Sequence, residues 1–202
     1  MRYLTTAETA KLIRKDLKAN FPGVKFSVRS RRGSAINIDY TNGPAEVDVK
    51  AVAEKYEAAR FDGMIDYQYH IDHWYNEATG EVCIATNHGS AVTGGCYEGE
   101  KNDCPGEGWE CVSFGANYIF VTQSITSDHF KEAVEMVAEN TGHNDLPKLG
   151  AVKEDRTKAG WINNDAFLGN GRDWHDARWL NNLIYETARE IAAGEYMVKE
   201  AA

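Results

Sequence analysis

The stretch VKFSVRSRRGSAINIDY, residues 24–40, constrains the fold more than any other part of the chain. Val24, Phe26 and Val28 alternate with Lys25, Ser27 and Arg29, and beyond Gly33 the residues Ile36, Ile38 and Tyr40 alternate with Asn37 and Asp39. Successive side chains of a strand point to opposite faces, so a period of two on both sides of a glycine-bearing turn predicts a β-hairpin with one buried face. That face needs a covering layer, and the flanking segments offer one. Thr5-Thr6-Ala7-Glu8 has the form of a capping box, in which Thr5 and Glu8 satisfy each other's backbone amides at a helix start. Ala10, Ile13 and Leu17 follow at helical spacing, and Phe21-Pro22-Gly23 ends the helix. After the hairpin, Asn42-Gly43-Pro44 makes a turn, and Val49, Val52, Tyr56 and Ala59 mark a second amphipathic helix.

Further along, residues 67–74 and 81–86 read as strands about a turn at 76–80, with Cys83 a small core residue, and VSFGANYIFV (112–121) reads as an internal strand. Ser127 is placed to cap a helix carrying Phe130, Val134 and Val137, closed by Gly142. Residues 143–172 lack periodicity and read as an ordered excursion anchored by Trp161 and Phe167. Asp173 opens a last helix with Ala177, Leu180, Ile184, Ala188 and Ile191 on one face, ending at Gly194. The order αββα-ββ-β-αα predicts a single α+β domain over residues 1–202, an antiparallel sheet of about five strands with helices mainly on one face. The opening residues carry no apolar segment of the secretory kind, and no apolar run approaches the ~20 residues of a membrane span, so a cytoplasmic protein without a membrane partner is expected.

Charge is unevenly distributed along the sequence. The chain carries a net −9, yet residues 1–50 hold ten Lys/Arg against five Asp/Glu. Lys11, Arg14, Lys15 and Lys18 recur at i, i+3, i+4 and i+7, forming one face of the first helix, while Lys25, Arg29, Arg31 and Arg32 belong to the hairpin. Clustered cations of this kind suit phosphate, because each phosphate neutralised releases counterions. They equally suit a solvated helix face and a charged hairpin tip that blocks edge pairing.

CYEGEKNDCPGEGWEC, residues 96–111, is the opposite case, with Glu98, Glu100, Asp103, Glu107 and Glu110 against one lysine. These acids are candidates for steering a basic protein partner. Cys96, Cys104 and Cys111 are candidate zinc ligands, but they lack the close cysteine pair that aims two thiolates at one ion. A solvated loop with free thiols is the expectation, with zinc and a disulfide as alternatives, and no cofactor is required. His70-Ile71-Asp72-His73 resembles a ligand cluster, but on a strand His70 and His73 point to opposite faces and only His70 and Asp72 share one. That pair is the candidate acid–base dyad, and equally an ordinary polar surface pair.

FPGVKFSVRS (21–30), IDYTNGP (38–44), ARFDGMIDY (59–67) and SFGANYIF (113–120) resemble the large polyvalent protein associated domains found in proteins of phages and conjugative elements. The resemblance covers roughly residues 3–124 and leaves 125–202 as a helical C-terminal extension. It implies a role in element–host conflict or in the processes that accompany DNA entry, and carries no catalytic residues with it. The leading expectation is therefore a non-enzymatic binding or accessory protein of a mobile element, countering a host defence through contact with a host or element-encoded protein. A nucleic-acid-binding module using the basic helix and hairpin is the first alternative, and a hydrolase-like enzyme using His70 and Asp72 the second.

Overall fold

The computed structural model describes residues 1–31, 33–85 and 103–194 in full, and the backbone alone of 89–90, 96–97 and 195–201. The chain has the expected α+β architecture with mostly antiparallel sheets. It divides into two compact units, residues 1–38 with 47–122, and residues 39–46 with 123–202.

In the first unit a short strand β1 (Arg2–Tyr3) leads into α1 (Thr6–Asn20), whose capping box is fully formed: the Thr5 hydroxyl accepts from the Glu8 amide and the Glu8 carboxylate accepts from the Thr5 amide. Its apolar stripe, Ala10, Ile13 and Leu17, is buried, and burial of the two larger side chains contributes roughly 2 kcal/mol each. The hairpin follows as β2 (Ser27–Arg31) and β3 (Ala35–Thr41). Val28, Ile36 and Ile38 face the core and α1 packs against β2, so the layer demanded by the hairpin's period of two is present. After α2 (Glu46–Ala53) a 3-10 turn carries Tyr56 into the core.

Residues 67–74 do not form one strand. They split at Ile71-Asp72 into β5 (Tyr67–His70), which pairs with β4 (Ala59–Asp62), and β6 (His73–Asn76), which pairs with β7 (Val82–Ile84). Backbone bonds explain the split: Ile71 N–H donates to Ala58 and the Asp72 carbonyl accepts from Ala85, so the chain changes sheets there. Two short strands, β8 (Gly89–Ser90) and β9 (Cys96–Tyr97), pair with each other. The apolar run 112–121 is also broken, into β10 (Trp109–Ser113) and β11 (Tyr118–Ser124). Gly115 marks the break. Its amide donates to Thr9 Oγ1 and its carbonyl accepts from Thr6 Oγ1, which draws the backbone out of the ladder toward the start of α1. A Cβ at this position would lie 2.4 Å from the Thr6 nitrogen, so only glycine fits. The resulting sheets have the orders β1-β10-β6-β7 and β11-β3-β2. Phe114 sits at the hub of the core, its ring against those of Tyr56, His73 and Tyr75.

The second unit is built on α3 (Ser127–Thr141) packed against α5 (Trp174–Ala201). Phe130, Val134 and Val137 meet Leu180, Ile184 and Ala188 in one apolar cluster. Gly142 ends α3 in the left-handed conformation, while the cap residue is Thr126 rather than Ser127. The aperiodic stretch contains a hairpin, β12 (Val152–Glu154) with β13 (Gly160–Ile162), and a single turn, α4 (Asp165–Leu168). Phe167 anchors it as expected, but Trp161 is exposed. Gly194 does not stop α5, which continues to Ala201 through a segment containing the helix formers Glu195, Met197 and Lys199.

Candidate functional site

Of the basic residues of α1 and the hairpin, the structure brings Arg14, Lys18 and Lys25 together, while Arg29 and Arg31 alternate with buried Val28 and so lie on the face of the sheet away from the core. Lys11, Arg14, Lys15 and Lys18 are all exposed, as the burial of Ala10, Ile13 and Leu17 on the other face requires. β2 is the outer strand of its sheet, and the Arg14 guanidinium donates to the backbone carbonyl of Val28 at 2.5 Å. One charged side chain thus satisfies an edge carbonyl and ties the helix stripe to the strand that carries Arg29 and Arg31, both exposed. Arg32 lies outside the described residues. At the lower end of α1 an open groove of about 460 Å³ is lined by Arg14, Lys18 and Lys25 together with Phe21 and Phe26, whose rings stand 6.0 Å apart. Three cations around two phenyl rings offer both phosphate contacts and an apolar floor. Lys18 also lies in the last turn of α1, where a cation complements the carbonyl end of the helix.

The His70 cluster has a different character. Ser113 Oγ and His70 Nε2 are 2.6 Å apart, a partnership across 43 residues of sequence, and Asp72 Oδ1 lies 3.7 Å from the same nitrogen. A relay of the serine-protease kind needs the serine and the carboxylate on opposite ring nitrogens, so that one orients the base while the other gives up its proton. Here both address Nε2, and Ser113 is only 5% exposed. His73 is turned the other way, into the core against Phe114, and burial, helped by the charges of His70 and Arg60, pushes its pKa down to about 4.

Cys83 is exposed, not a core residue, because its register neighbour Trp74 lies on the outer face of β6 while His73 and Tyr75 face inward. Burial of the thiol itself, then the proximity of Cys104 and Glu81, raises its pKa. Cys104 is exposed and its thiol reaches the Gly106 carbonyl at 3.4 Å, while Cys111 lies in β10 opposite Trp74. Among the described residues no group of three His, Cys, Asp or Glu side chains converges on a metal position. The side chain of Cys96, and Glu98 and Glu100, lie outside the described residues. Of the remaining acids, Asp103 and Glu107 are exposed and Glu110 pairs with Arg2 at 3.3 Å, an Arg2 that Glu77 also engages at 3.1 Å.

The model of the large polyvalent protein associated domain 29 matches residues 4–126, more than half of the chain. The chain belongs to this family. No curated protein and no solved structure matches it. The large polyvalent protein associated domain takes in α1, the hairpin and every described strand from β2 through β11, and hence the basic residues of α1 and the hairpin and the His70 cluster. Membership associates the protein with phages and mobile elements. Sequence reasoning missed two residues that the structure exposes on the domain's open sheet, Tyr118 and Phe120. Their alternation with Ile119 and Val121 was the available signal, hidden inside a run read as wholly internal.

Proposed function

We propose that this protein is a non-enzymatic accessory protein of a phage or mobile element that binds nucleic acid through the face formed by α1 and β2. The observation that supports it is the groove at the end of α1, where Arg14, Lys18 and Lys25 surround Phe21 and Phe26 and Arg14 also reaches the edge of β2 at the Val28 carbonyl. The net charge of −9 does not oppose this reading. Solvent-exposed charges more than about 10 Å apart are largely screened at 0.1 M salt, so the local cluster governs contact with a phosphate chain. The reading of a protein partner drawn to the acidic segment has less support, since Glu110 is engaged by Arg2 and no structural feature gathers the remaining described acids, Asp103 and Glu107, into a site.

Anisotropy titration of a labelled oligonucleotide across a range of salt tests the proposal. Binding should weaken steeply with salt, and charge reversal at Lys15 and Lys18 should each lower the logarithmic salt slope by about one unit for duplex DNA. Absence of binding at low salt, or a slope unchanged by both substitutions, refutes it.

A further inference from the structure

We infer that the outer face of the β11-β3-β2 sheet is a stacking platform for single-stranded nucleic acid, an inference that rests on the nucleic-acid reading and names its substrate. Alternation decides which side chains lie there. Val28, Ile36, Ile38, Tyr40, Ile119 and Val121 are buried on the inner face, so Tyr118, Phe120, Asn37, Asp39, Arg29 and Arg31 belong to the outer one. Tyr118 is 44% exposed and Phe120 52%. Two large aromatic rings exposed next to each other on a sheet make a contiguous apolar patch, the kind of feature that marks an interaction surface. The two rings are stacked along β11, nearly parallel at 15° with centroids 6.2 Å apart. The pair begins an aromatic stack that an unstacked base can extend.

The charges around the rings give the platform a direction. β2, with Arg29 and Arg31, lies across β3 from the aromatic strand, and Arg14 of α1 reaches the edge of β2 at the Val28 carbonyl. The opposite margin is acidic. Tyr118 N–H turns toward β3, donating to Ser34, so the Ile119 N–H turns away and is held by the Glu57 carboxylate at 3.1 Å. Glu54 and Glu57, with Arg60 between them and Phe61, line the groove beside Tyr118. A bound chain would therefore set its bases on Tyr118 and Phe120 and run its phosphates toward β2. Bases within a duplex are already stacked on one another and cannot rest on these rings, which selects single strands.

The test compares the full chain with its Tyr118→Ala and Phe120→Ala variants on labelled oligothymidylate and on a hairpin duplex, with thermal melts to confirm that the variants fold. The expected result is preference for the single strand, a loss of ~10-fold or more in single-strand affinity for each ring removed, no change on duplex, and retention by Tyr118→Phe. Bromodeoxyuridine in the oligonucleotide should cross-link to Tyr118 or Phe120. Equal binding of both forms, indifferent to ring removal, overturns the platform and leaves the basic-face reading standing. Failure of both forms to bind at low salt overturns both. Self-association that disappears in Phe120→Ala, with single-strand affinity unchanged, shows that a second copy covers this face and also overturns the platform.

Discussion

His73 should make the first unit lose stability below neutral pH. Its ring is 3% exposed and packs on Phe114 with centroids 5.1 Å apart, and its pKa is pushed down to about 4. In the unfolded chain an imidazole titrates near 6.5. Between these values the unfolded state holds one more proton than the folded state, so stability falls as pH falls. The loss is absent above pH ~6.5, approaches ~1.4 kcal/mol per pH unit within the window, and totals about 3 kcal/mol below pH ~4. His73→Phe removes the titration while keeping an aromatic ring against Phe114. Urea unfolding at a series of pH values gives the difference between wild type and variant, in which the common titration of carboxylates cancels. Wild type should weaken relative to His73→Phe from pH ~6.5 downward. Parallel pH profiles for the two proteins would refute the reasoning.

Two further predictions concern the same unit. Gly115→Ala should cost at least ~3 kcal/mol by thermal or urea unfolding, because the new methyl meets the backbone at Thr6 N (2.4 Å) and Leu4 O (2.5 Å), where no side chain can move aside; a loss under ~1 kcal/mol contradicts this. Asp16→Ala should cost ~2 kcal/mol, since the buried Tyr56 hydroxyl loses its 2.7 Å acceptor and Lys55 its 2.5 Å partner, and Asp16→Asn, which keeps an acceptor, should recover part of that loss; equal losses in the two variants contradict it. Burial together with Asp16 already holds the Tyr56 phenol far above its ordinary pKa, so this hydroxyl stays a donor throughout the range of the assay.

The sequence reads well where local chemistry dictates structure. Thr5 and Glu8 announce α1, and the alternation around Gly33 announces the hairpin, because caps and pleats are properties of a few neighbouring residues. The breaks at Ile71-Asp72 and at Gly115 were illegible, since each depends on backbone partners far away, Ala58 and Ala85 for one and Thr6 and Thr9 for the other. The same holds for the site. The basic stripe was visible as a helical period, but the contact of Arg14 with β2 depends on its reaching a carbonyl fourteen residues on, and the Ser113 partner of His70 lies 43 residues away. The exposure of Tyr118 and Phe120 depends on their lying on the open face of the sheet, which hydrophobicity alone cannot tell from a covered one.

The most direct test of the account is a hydrogen-exchange footprint of the full chain with and without an oligonucleotide at low salt. Peptides spanning residues 11–31 should gain protection, while those from α3, residues 127–141, stay unchanged. Unchanged exchange over 11–31 at saturating oligonucleotide, or protection centred elsewhere, would contradict the assignment of the α1–β2 face as the nucleic-acid interface.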